Sequence, residues 1–193
     1  MVKNGTGPYE SYYKDGTVKS NGYVKKGEYT GSWKYFYENG RPKEEGHYDS
    51  DDDYLVDNFW SRNGDHTLID GNGLYKSRYD NGKTKYKGEY KNGLKQGEHV
   101  NRDEDGLLET KIGYNAGEYD GEFSYYYSSR TMEMKGEYDN GTAVGLWTWY
   151  HWNGEKEKEV RYKNGYKDGE MKYWDEDGLL EKVEEYDDGV LQD

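Results

Sequence analysis

The sequence predicts an all-β fold: an elongated, single-layer antiparallel meander of about eight β-hairpin repeats, each 24 residues long. Three observations predict it. Of the 27 glycines, 17 directly follow Asn or Asp, and Asn-Gly and Asp-Gly are the strongest short signals for a hairpin turn. Glycines recur in frame: Gly7 and Gly31 are 24 apart, and Gly73, Gly97, Gly121, Gly145 and Gly169 keep that spacing. Between the turns, apolar and polar residues alternate with period two and are rich in Tyr and Trp, which reads as strand.

The array starts near residue 7. Its units lie near 7–30, 31–54, 55–72 (truncated), 73–96, 97–120, 121–144, 145–168 and 169–193, as one continuous domain over 1–193. The heptapeptide DEDGLLE recurs at 103–109 and 175–181, three periods apart. Each unit opens with an aromatic segment, such as Gly31-Ser-Trp-Lys-Tyr-Phe-Tyr-Glu or Gly145-Leu-Trp-Thr-Trp-Tyr-His-Trp. An alternating segment follows the turn: Glu155, Glu157, Glu159 and Arg161 point one way, Val160 and Tyr162 the other. Two-residue type I′ turns then set the register. Trp33 faces Gly46, Phe123 faces Gly136 and Gly121 faces Tyr138, so a ring meets a glycine across the ladder and covers a weak strand position.

Composition sets the limits. The 193 residues carry a net charge of -13 and include 24 Tyr, 6 Trp and 3 Phe. Leu, Ile, Val and Phe together number 24, too few for an aliphatic-cored globule. The aromatics, each able to bury a large area, argue for an ordered but thin structure. No apolar run reaches the roughly 18–20 residues of a membrane helix, so no integral membrane segment is expected. The first residues lack the apolar stretch of a signal peptide. The expected location is therefore cytoplasmic, with export as the alternative if a leader has been removed. There is no Cys, which excludes disulfides and thiolate chemistry. The acidic balance disfavours nucleic-acid backbone and favours a basic protein partner.

The motif Gly-x-Trp-x-x-aromatic-aromatic, then Asn-Gly, then Gly-x-Tyr-x-Asn-Gly resembles the MORN repeat, in the variant form found in bacterial proteins of the YwqK-family, antitoxin-like type. Gly121 to Gly141 carries most of it, with Arg130 at the turn-glycine position; Gly73 to Gly93 is a second match. Unit 97–120 departs most, with His99, Asn101, Arg102 and Asp103 where aromatics stand elsewhere. The resemblance implies a meandering sheet that binds other proteins without catalysis. Its specific version is an antitoxin or immunity protein covering the surface of a basic toxin. The rival reading is an exported or surface scaffold that binds glycan, lipid headgroups or another protein.

Candidate chemistry is sparse. His47, His66, His99 and His151 fall at four different offsets of the repeat and form no zinc-ligand pattern. Asn101, Asp103 and Asp105 mimic the first half of a calcium loop, but Ile112 stands where a bidentate Glu is needed. Asp49, Asp51, Asp52 and Asp53 read as a solvated loop. No nucleophile elbow or phosphate loop occurs, so neither catalysis nor a cofactor or metal is expected. The binding candidates are a second aromatic row on the face opposite Trp33 and Tyr35, namely Tyr12, Phe36, Trp60, Tyr126, Tyr150 and Trp174. To these we add the acidic Glu170, Asp175, Asp177 and Glu181. Residues 169–193 hold ten acids and two bases, which would steer a basic partner. Open edge strands also invite self-association.

Overall fold

The computed structural model describes residues 5–192. The fold class is as expected: all-β, in antiparallel meander order, with no helix among the described residues. The chain divides into two compact units, one running up to Ser77 with Glu89–Leu94, the other comprising Arg78–Gly88 and the chain from Lys95 on.

The first unit contains β1 (Gly7–Tyr12), β2 (Val18–Lys25), β3 (Glu28–Phe36), β4 (Pro42–Tyr48), β5 (Tyr54–Trp60), β6 (His66–Ile69) and most of β7 (Asn72–Arg78). Each strand pairs antiparallel with the next. β8 (Thr84–Lys91) and β9 (Leu94–Arg102) span the division. The second unit continues with β10 (Leu108–Asn115), β11 (Glu118–Tyr126), β12 (Met132–Asp139), β13 (Thr142–Tyr150) and β14 (Lys156–Lys163). β15 (Tyr166–Lys167), β16 (Gly169–Trp174), β17 (Leu180–Asp187) and β18 (Val190–Leu191) complete it. β15 and β16 both pair with β14 and are parted at Asp168, whose N–H donates to the Arg161 carbonyl.

The register agrees with the sequence reading, with Trp33 opposite Gly46, Phe123 opposite Gly136 and Gly121 opposite Tyr138. The turns that produce it differ from the expectation. Alternate turns, including Asn92-Gly93, Asn140-Gly141 and Asn164-Gly165, have positive φ at both central residues, as type I′ requires. In the intervening turns only the second residue is positive, the glycine at Asn39-Gly40 and Asn153-Gly154 and Arg130 after Ser129. There the loop has three residues: the Tyr37 N–H donates to the Arg41 carbonyl and the Gly40 N–H to the Tyr37 carbonyl. Asn39 Oδ1 accepts the Arg41 N–H at 3.1 Å and Asn153 Oδ1 the Glu155 N–H at 3.0 Å. Asn serves here as a local side-chain acceptor rather than as a tolerant left-handed residue. A bulge in the returning strand adds one residue, seen between Tyr35 and Phe36 and between Trp149 and Tyr150. The longer loop and the bulge cancel, which is why a two-residue turn predicted the right partners.

Packing is aromatic. In the second unit Ile112, Tyr114, Phe123 and Trp147 form the buried cluster, flanked by Tyr125, Met134, Tyr138, Trp149 and Tyr162. In the first, Val56, Phe59 and Leu68 are buried against Tyr54, Tyr75 and Tyr90. The truncated unit thus buries Val56 and Leu68 beside Phe59 and the tyrosines. The ring that covers Gly136 comes from the following strand: a Cβ built there would lie 2.1 Å from Trp147. Gly22 lies likewise against Trp33, and His99 takes the indole's place against Gly88. The departure noted at His99 is therefore a substitution in kind; the ring is buried and meets Tyr114 edge-on at 4.8 Å.

Candidate functional site

The six residues of the second row each end a strand at a bulge. Four of them, Phe36, Trp60, Tyr150 and Trp174, have their carbonyls tied to the neighbouring repeat. The Tyr13 hydroxyl donates to the Phe36 carbonyl, Tyr37 to Trp60 and Tyr127 to Tyr150, each at 2.8 Å. Tyr79 does the same to Arg102, and His151 Nε2 to Trp174 at 2.9 Å. These donors sit one residue beyond the row and 23 residues before their acceptors. Sequence reasoning missed them, although a recurring Tyr just before the Asn-Gly turn was the available signal. The donor position holds Ser61 and Asp103 in the two aberrant units; Ser61 hydrogen-bonds Asp65, and Asp103 caps its own turn through the Leu107 N–H.

The side chains of the row differ in their surroundings. Tyr12 is 55% exposed and donates to Glu10. Phe36, Tyr126 and Tyr150 are half-buried. Trp60 stacks on His66 with centroids 4.4 Å apart, and Lys156 Nζ lies 5.2 Å from the Trp174 ring. None of the ring contacts among the described residues joins two members of the row.

Rings do meet continuously on the other face. In the first unit Tyr9, Tyr29, Trp33, Tyr35, Tyr54 and Tyr48 follow one another with centroids 4.2–6.3 Å apart. Glu44, opposite Tyr35 in the ladder, accepts the Tyr54 hydroxyl at 3.1 Å on Oε1 and the Tyr75 hydroxyl at 2.7 Å on Oε2. Burial, with the nearby Glu44 charge, pushes both phenols well above their ordinary value. Tyr35 is pushed up to about 12, first by burial and then by its phenol and carboxylate neighbours.

The equivalent ladder position in the second unit carries Met134 opposite Tyr125, Lys158 opposite Trp149 and Lys182 opposite Tyr173. Lys158 Nζ lies 5.1 Å from the Trp149 ring and Lys182 Nζ 5.5 Å from the Tyr173 ring, within cation–π range. Lys182 also reaches Glu184 Oε1 at 2.5 Å, and Glu184 Oε2 accepts the Tyr173 and Tyr186 hydroxyls at 2.8 and 3.1 Å. These donors hold the Glu184 carboxyl below its ordinary range.

The acidic candidates are dispersed. Glu170 pairs with Lys172 at 2.7 Å on β16. Asp175 Oδ1 accepts the Asp177 and Leu179 N–H groups at 3.0 and 2.8 Å, so it shapes its own turn. Asp177 is exposed in that turn, and Glu181 is exposed on β17. Around them stand Leu179, Leu180, Val183, Val190 and Leu191, all exposed by 46% or more. Asp168, Asp187 and Asp188 bring carboxylate oxygens within 4.8 Å of one another at the same end. Asp49 caps its loop by accepting the Asp51 and Asp53 N–H groups. No helix among the described residues is long and apolar enough to cross a membrane.

Paired antiparallel hairpins and turns tied from one repeat to the next define a β-hairpin repeat protein. Four segments, 29–50, 72–92, 143–164 and 167–188, match the family described as MORN repeat variant. These repeats are generally non-catalytic modules. The matched segments include the Gly73 segment singled out above but not Gly121–Gly141. No curated protein matches the chain.

Proposed function

We propose that the chain is a non-catalytic protein-binding module whose acidic C-terminal strands dock a basic protein, with an antitoxin or immunity protein as its specific form. One observation carries this reading: β17 and β18 combine exposed aliphatics with a net charge of -8 over residues 169–193. Exposed apolar area rimmed by like charge is what a docking patch presents, the apolar part supplying affinity and the charge supplying attraction and selectivity. In the antitoxin form the module would shield the cationic, substrate-binding surface of a toxin. Co-expression with the product of the adjacent gene tests this. A stable complex, weakened by Val183→Ser with Leu191→Ser and by raised salt, is the expected result. Absence of both a complex and growth rescue would remove the antitoxin form.

A further inference from the structure

The ring face holds one carboxylate where two later repeats hold an ammonium. Tyr35–Glu44, Trp149–Lys158 and Tyr173–Lys182 are the same cross-strand pair in three repeats. In the last of these the chain displays a complete constellation. A carboxylate, Glu184, takes tyrosyl hydroxyls on one oxygen and an ammonium on the other, and that ammonium lies over a tyrosine ring. Glu44 stands in the register of Lys182, opposite the Tyr35 ring, but is itself a carboxylate held by two tyrosyl hydroxyls, Tyr54 on one oxygen and Tyr75 on the other. Among the described residues no ion pair reaches Glu44, whereas Glu45, next to it on the opposite face, is taken by Lys34 at 2.8 Å.

We infer that Glu44, with Tyr35 and Tyr54, is a receptor site for the ammonium of a lysine side chain from a partner protein. Each carboxylate oxygen of Glu44 accepts one hydroxyl and keeps acceptor capacity for another donor. An ammonium there gains a charge-assisted hydrogen bond and the ring face together. The two hydroxyls pin the carboxylate in place, so little side-chain freedom remains to be lost on binding. A guanidinium shares the charge, but the template the chain itself displays is a lysine.

This inference rests on the protein-binding reading and specifies one of its contacts. The probe is a blocked tetralysine peptide, titrated into the full chain while the tyrosine ring resonances of Tyr35 and Tyr54 are followed by NMR. Its fully Nε-acetylated form is the control, because the acidic C-terminal end also attracts cations. Tetralysine should move both rings and the acetylated peptide neither. Glu44→Gln should weaken the binding read at these rings about fivefold, the loss of one charge-assisted contact. Glu45→Gln, with the same change in net charge, should leave it within about twofold. Glu44→Lys places the chain's own ammonium at the site, as Lys158 and Lys182 do, and should abolish the ring shifts; it also guards against misfolding of the Gln variant. Unmoved rings, equal weakening by Glu44→Gln and Glu45→Gln, or binding that survives Glu44→Lys would each overturn the site. Any of these with a partner complex intact would leave the protein-binding reading standing, whereas that reading fails on loss of the complex itself.

Discussion

Gly136→Ala and Gly145→Ala separate two reasons for a glycine in one repeat. Gly136 has no left-handed backbone, but a Cβ there would stand 2.1 Å from Trp147 Cδ2, 2.2 Å from Cε2 and 2.6 Å from Cε3. Carbon atoms rest about 3.5–4.0 Å apart, so the indole must retreat by about 1.5 Å. Trp147 is 5% exposed and packs against Phe123 at 5.6 Å and Tyr138 at 5.1 Å between centroids, contacts that a retreat of that size disrupts. The cost falls at the upper end for overpacking, about 3 kcal/mol. Gly145 has φ of +66° and nothing within 4 Å of its built Cβ. Alanine there meets only the left-handed penalty, about 1 kcal/mol. Urea unfolding followed by tryptophan fluorescence measures the difference. Amide exchange around residues 134–149 complements it, since neighbouring repeats can open locally. A Gly136→Ala cost no larger than that of Gly145→Ala would refute the ring-over-glycine reasoning.

Other outcomes follow from the same contacts. Tyr127→Phe keeps the ring but strands the Tyr150 carbonyl, and should cost about 1 kcal/mol in urea unfolding, with faster exchange in the 127–131 turn. His151→Tyr restores the donor used by the other repeats and should change stability by less than about 0.5 kcal/mol, whereas His151→Phe should cost about 1 kcal/mol. Tyr35 and Tyr37 are pushed up to about 12 by burial, so the folded chain holds these protons more tightly than the unfolded chain, whose phenols ionise near 10. Their contribution is therefore fully present below pH 10 and lost as pH rises toward 12. Tyrosinate absorbance and circular dichroism should change together in that window; ionisation of all tyrosines near pH 10 with the fold intact would contradict this. Lys111 bridges Glu98 and Glu122 at 3.0 Å each, but both carboxylates are exposed, so Lys111→Ala should cost less than about 1 kcal/mol and become neutral at high salt.

The period, the turns and the facing pairs were legible because glycine and the aromatics are placed by backbone rules that a sequence records directly. The pairing of Phe123 with Gly136 came from counting alone. The ring lying over Gly136 did not, because Trp147 reaches it from the strand on the other side, across a bulge at Gly145. The shared offset of the second aromatic row was legible, but the bulge that each of its residues meets was not. Counting by two assumes an unbroken pleat, and the bulges at Tyr12, Phe36, Trp60, Tyr126, Tyr150 and Trp174 interrupt it. Asp175 looked like free charge, yet its carboxylate closes the turn, an outcome composition cannot reveal. Glu44 was invisible for a similar reason: one acid among 40 acquires meaning only when Tyr54 and Tyr75 converge on it from two other strands.

The ring-over-glycine register holds the repeats together and sets which face carries the rings and which residues stand opposite them. An NMR assignment of the glycine Hα protons tests it most directly. Gly22 under Trp33 and Gly136 under Trp147 should show Hα resonances shifted well upfield by the indole ring currents, while Gly113, which faces the Asp120 carbonyl, should not. Ordinary Hα shifts at Gly22 and Gly136 would contradict the account.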